Sequence, residues 1–180
     1  MYIDTIDDMN DLKIRPELEP DYEVIRNIVA ESFSSAPHTD GDEHNLIDRI
    51  RKTDDYIPEL SLVAVYDGHI VGHIMMSRIY VEEREALALA PLAVLPKLQG
   101  KGVGSRLVKE AHKLAMTLGY EFSVVLGDPA YYSRFGYITA STFGVLAPFD
   151  VPEPYFMVSK LNQNTLIPTG IVKYSKAFDL

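Results

Sequence analysis

The sequence predicts a single domain of mixed α/β, α+β class. The hydrophobic period alternates between helical and strand-like stretches along the chain. At 47% apolar residues, a length of 180 suits one core better than two. No internal repeat or low-complexity linker interrupts it. Residues 1–11, carrying Asp4, Asp7, Asp8 and Asp11, read as an acidic leader, and residues 12–180 as the domain.

The elements follow in order. "LKIRP" alternates apolar and polar side chains and stops at Pro16, which suits a short edge strand. From Asp21 to Phe33, apolar residues at Tyr22, Ile25, Val29 and Phe33 share one helical face. "SSAPHTDGDEHNLIDRIRKT" begins as a loop and becomes a helix that buries Leu46, Ile47 and Ile50. Within it, His38, Asp40, Asp42, Glu43 and His44 match neither a His-x-x-x-His zinc spacing nor a calcium loop, so they read as a polar loop with no metal.

"SLVAVYD" and "IVGHIMMSRIYVE" are strands joined at Asp67-Gly68, a hairpin turn that needs positive φ. A third strand, "ALALAPLAVLP", carries Pro91, which cannot donate to a ladder and calls for a bulge or a splayed strand there. Leu107, Val108, Ala111, Leu114, Ala115 and Leu118 repeat at helical spacing until Gly119. "EFSVVLGD" is a buried strand, "PAYYSRFG" a short helix opened by Pro129, and "YFMVSKL" and "GIVKY" late strands.

A net charge of -9 argues against nucleic-acid binding, which depends on clustered Lys and Arg. The absence of cysteine excludes a disulfide scaffold, Cys-ligated zinc and a thiol nucleophile. Without a signal-like N-terminus or a long apolar run, the expectation is a cytoplasmic protein with no membrane partner.

The segment "LPKLQGKGVGSRL" joins the proline-bearing strand to the third helix. No register of Gly100, Gly102 and Gly104 ends in Gly-Lys-[Ser/Thr], as a nucleoside-triphosphate loop requires. The dinucleotide fingerprint fails too, because its third glycine would fall on Ser105 or Leu107. What remains is Gln99-x-x-Gly102-x-Gly104 at a helix start, where free N–H groups and the helix dipole favour an anion such as a pyrophosphate. Lys101 and Arg106 could add positive charge there.

"PLAVLPKLQGKGVGSRLV" resembles motif A of the GCN5-related N-acetyltransferase (GNAT) superfamily. "VVLGDPAYYSRFGY" is similar to motif B of the branch that carries "LGDPxYYxRFGF". The resemblance implies a central, mostly antiparallel sheet splayed between strands 4 and 5, with flanking helices and acetyl-CoA held in the opening. The backbone of Leu92, Ala93 and Val94 would pair with pantetheine, and that of Gln99, Gly100, Lys101, Gly102, Val103, Gly104 and Ser105 would hold the pyrophosphate. Val94 or a neighbour would donate to the oxyanion. Tyr132, four residues before Gly136, would act as the catalytic acid, with Tyr131 beside it.

The fourth strand lacks the carboxylate that many relatives use as base, which leaves Glu31, Glu85 or a water chain. His73 reads as a core histidine. The implied activity is direct acetyl transfer to a primary amine of a small molecule or peptide, and the acidic charge suits a cationic acceptor. A non-catalytic acyl-CoA-binding or sensing domain is the alternative, and the resemblance also admits a homodimer.

Overall fold

A computed structural model describes residues 9–37 and 39–180; Asp4, Asp7 and Asp8 of the acidic leader and His38 of the polar loop lie outside the described residues. Among the described residues there are nine strands, β1 (Lys13–Pro16), β2 (Ser61–Tyr66), β3 (His69–Val81), β4 (Arg84–Val94), β5 (Phe122–Leu126), β6 (Tyr137–Thr139), β7 (Val145–Leu146), β8 (Phe156–Lys160) and β9 (Gly170–Lys173). Four helices accompany them: α1 (Tyr22–Phe33), α2 (Glu43–Ile50), α3 (Val103–Thr117) and α4 (Pro129–Tyr132).

The sheet runs β1-β2-β3-β4-β5-β8-β6, and β9 pairs with β3 and β7. Its neighbours are antiparallel except β4 with β5 and the small β7–β9 pair. The β2–β3 hairpin turns at Asp67 and Gly68, both at positive φ as the turn requires. Sheet pleating divides the core. On one face, α3 packs Leu107, Val108 and Ala111 onto Ile74, Met76, Leu87 and Leu89. On the other, Ile25, Val29, Ile47 and Ile50 of α1 and α2 meet Val63, Met75 and Ala93.

Two features of β4 position the site. First, Ile74 pairs with Leu92 but Met76 with Leu89, so Ala90 and Pro91 together face Met75 alone. This is the bulge expected at Pro91, and the Ala90–Pro91 peptide is cis. Second, β5 pairs with β4 only over Leu87–Leu89. Beyond that β5 stays with β8, out to Leu126 against Phe156. The upper half of β4 therefore has no neighbour on that side, and the sheet opens as a V.

Some expectations needed correction. Leu118 is the C-cap of α3, not part of its buried stripe, and stands exposed where the helix has already ended. Strands β6 and β7 went unforeseen because two or three residues are too few to show a period. Among the described residues, no helix is long and apolar enough to cross a membrane.

Candidate functional site

The site is built on the free edge of β4. Leu95 N–H donates to the Val71 carbonyl at 3.0 Å. In an antiparallel ladder, bonding direction alternates by residue. The Ala93–His73 pair, two residues back in register, thus also bonds toward β3. Leu92 and Val94 then aim their N–H and C=O groups into the V. The expected pairing edge narrows from three residues to these two, because the polar atoms of Ala93 are engaged with the sheet. Val94 N–H meets Ser32 Oγ of α1 at 3.4 Å, and its carbonyl accepts from Gln99 Nε2 at 3.1 Å. The Gln99 side chain thus closes off the strand end.

Gly100 and Gly102 both have positive φ, and Gly102 is the N-cap of α3 at φ 88°. Only glycine enters that conformation without strain. Because this N-cap has no side chain, nothing among the described residues caps the first N–H groups of α3, those of Val103, Gly104 and Ser105. Gly100 and Lys101 are exposed beside them, whereas Val103 turns its side chain into the core. Arg106 points elsewhere: it donates to the carbonyls of Met9 at 2.5 Å and Leu12 at 2.7 Å. It ties the N-terminal segment to α3, so its hydrogen-bond donors are directed away from the glycine turn.

The second arm of the V carries α4. Asp128 caps it, accepting from Ala130 N–H at 2.9 Å, and Pro129 fills the first turn. Two glycines make room for the two tyrosines. A Cβ on Gly127 would lie 2.3 Å from the Tyr132 ring, and one on Gly104 would lie 2.5 Å from Tyr131 Oη. Tyr131 therefore spans the V from α4 to the first turn of α3, where the same Gly104 Cβ would meet Leu92 and Val94 side chains at 3.7 and 3.6 Å. Tyr132 instead packs edge-on against Tyr137 and Tyr131. Burial raises the pKa of both phenols, so each stays protonated at neutral pH. Arg134 stacks over Tyr131 at 4.4 Å.

Of the candidate bases, Glu85 lies at the opposite end of β4 from Val94, nine residues away, roughly 25–30 Å at strand rise. There it bonds Tyr80 Oη at 3.1 Å, too far to serve the open edge. Glu31 is exposed on α1 next to Ser32. A cavity of about 330 Å³ is also distant from the V, between Asp55, Arg78, Tyr80, Lys173 and Lys176.

A buried cluster that sequence reasoning missed lies behind the open edge. Arg51 forks onto Glu17 through Nη2 at 2.7 Å and Nε at 2.9 Å. Tyr56 Oη donates to the same carboxylate at 2.8 Å, and His73 Nε2 reaches it at 3.0 Å. Arg51 also lies 3.7 Å over the Tyr22 ring. Burial would raise the Glu17 pKa, but the His73 and Arg51 hydrogen bonds outweigh it and hold the carboxyl well below its ordinary range. Burial lowers His73, which favours the neutral ring, and Nε2, facing an acceptor-only carboxylate, is the nitrogen suited to carry its proton.

Ser61 Oγ lies 3.1 Å from that same Nε2. A Ser-His-acid triad needs serine and acid on opposite ring nitrogens, and all three side chains here are buried. This cluster is architecture. The only sequence signal for it was a polar residue, His73, inside an apolar strand. Among the described residues, no three His, Asp or Glu side chains are placed to hold a metal.

A family model described as the acetyltransferase (GNAT) family matches residues 22–137. The uncharacterized N-acetyltransferase YhbS of Escherichia coli K12 is 34% identical over 170 residues, 92% of this chain and 98% of that protein. A crystal structure of YhbS from Escherichia coli in complex with CoA aligns with a TM-score of 0.83 at 31% identity, covering 94% of this chain and 92% of the other. A GNAT family acetyltransferase from Brucella melitensis in complex with acetyl-CoA aligns with a TM-score of 0.78 at 30% identity, covering 93% and 98%.

Proposed function

The chain belongs to the GNAT acetyltransferase family, and from that premise we propose that it transfers the acetyl group of acetyl-CoA directly to a primary amine of a small molecule or peptide. The observation that carries this reading is the open edge of Leu92 and Val94, running into the uncapped N-terminus of α3. An extended pantetheine arm can add to a free strand edge as another strand would. A diphosphate can take the N–H groups of residues 99–105, which the glycine turn leaves open to close approach. The solved neighbours that hold CoA and acetyl-CoA support this reading.

In the proposed reaction the amine lone pair attacks the thioester carbon, a C–N bond forms, and the carbonyl π electrons move onto oxygen. The Val94 N–H, aimed into the V, donates to that oxygen; one such donor is worth about 10²–10³ in rate. As the intermediate collapses, the C–S bond breaks and the thiolate leaves with the electron pair. Tyr132, held protonated by burial, donates to the sulfur. The ammonium proton passes to solvent at the open edge, and solvent returns a proton to the Tyr132 phenolate, closing the cycle. With no cysteine in the chain, an acyl-cysteine intermediate is excluded and direct attack is the simplest route.

The alternative acyl-CoA-sensing reading draws on the lack of an ionisable side chain along Ala86–Val94. Calorimetry with acetyl-CoA, paired with thiol release over a panel of primary amines, separates the two. Binding with turnover on at least one amine is expected. Tight binding with no thiol release on any amine would replace transfer by sensing.

A further inference from the structure

Ser32 interrupts an apolar stripe. Ile25, Ile28 and Val29 of α1 are buried against the sheet, and Ser32 follows at the i+3/i+4 spacing of that same face. A serine near the end of a helix ordinarily bonds back to a carbonyl of the preceding turn. Ser32 instead offers its Oγ to Val94 N–H, across 62 residues of sequence. At 3.4 Å this bond is near the long limit, so giving it up costs little. Among the described residues the hydroxyl has no acceptor for its own proton.

We propose that Ser32 is a catalytic residue, the second hydrogen-bond donor to the acyl oxygen. This rests on the acetyl-transfer reading above. In the empty protein Ser32 holds the Val94 N–H toward the open edge. When the thioester carbonyl enters, its oxygen takes over that N–H. The serine hydroxyl, no longer needed as acceptor, rotates and donates to the same oxygen. The C–N bond then forms, the π pair settles on an oxygen with two donors, and the C–S bond breaks with its electrons leaving on sulfur. Ser32 neither gains nor loses a proton over the cycle.

The test uses the full chain, with acetyl-CoA as donor and spermidine, a primary-amine dipeptide and water as acceptors. Water attack passes through the same oxyanion and needs no knowledge of the native amine. For Ser32→Ala, turnover should fall about a hundredfold while the acetyl-CoA Kd stays within about twofold. Ser32→Thr, which keeps the hydroxyl, should recover most of the loss. Unchanged turnover in Ser32→Ala overturns the proposal while leaving acetyl transfer intact. A weakened Kd with unchanged kcat also overturns it, making Ser32 a strand-edge cap only. If the wild-type protein binds acetyl-CoA yet releases no thiol with any acceptor, transfer itself fails and the role of Ser32 falls with it.

Discussion

The open edge of β4 and the Glu17–Arg51–His73 cluster lie back to back on one strand pair, since Ala93 faces His73 in the register. They handle polar atoms in opposite ways. At the edge, the groups left for a ligand are mainly backbone N–H groups of Leu92, Val94 and the start of α3. In the cluster, both carboxylate oxygens of Glu17 are engaged, by Arg51, Tyr56 and His73, although His73 Nδ1 has no partner among the described residues. The richer collection of ionisable side chains is the inert one. Burial and paired charges suit a polar group to a structural role, while accessible and underused donors suit the edge to the proposed binding of acetyl-CoA.

The contrast can be broken at several points. The largest effect is expected from Arg51→Ala, which leaves the Glu17 carboxylate buried without its main partner. Removing one member of such a pair costs about 3–5 kcal/mol, readable by chemical denaturation, while turnover per folded molecule should hold. A turnover loss matching that of an edge variant would show that the two regions are not separable.

Acidification comes next. Burial lowers His112, which meets Tyr137 Oη at 3.0 Å, to about 4. Between that value and its ordinary 6.5 the unfolded chain binds a proton that the fold refuses. The stabilisation, about 3 kcal/mol, is full above pH 6.5 and lost as pH falls toward 4. The lowered pKa values of His73 and Glu17 act in the same direction, with the Glu17 loss falling below the ordinary carboxylate range. Denaturation curves from pH 7.5 to 4.5 should steepen this way, and His112→Gln should flatten the slope; an unchanged slope would locate the titration elsewhere.

Tyr132→Phe should lower kcat about a hundredfold and leave acetyl-CoA affinity alone, whereas Tyr131→Phe should act on affinity, because its oxygen stands at Gly104. An exchange of these two signatures would make Tyr131 the acid. The smallest effect is expected from Gly104→Ala. It improves helix propensity but drives a methyl into Tyr131 Oη, weakening acetyl-CoA binding on the order of tenfold, about 1.4 kcal/mol. With Tyr131→Phe added, the combined loss should be smaller than the sum of the two single losses, and simple additivity would deny the contact.

Much of the site was legible before the fold. Helical and strand periods, the Asp67-Gly68 turn, the strand disruption at Pro91, the glycine turn ahead of α3 and the Asp128-Pro129 start of α4 are local patterns, set by φ preferences and side-chain spacing within a few residues. For the same reason the motif around Gln99 and Gly104 pointed to the family, and the family model bears that out. Sequence alone could not say which amides of β4 face outward, because a one-residue change of register reverses them. Nor could it bring Ser32 to Val94, Tyr131 to Gly104, or Glu17 to Arg51 and His73. Those meetings span tens of residues, and only the packing of α1, α2 and α4 against a specific sheet register decides them.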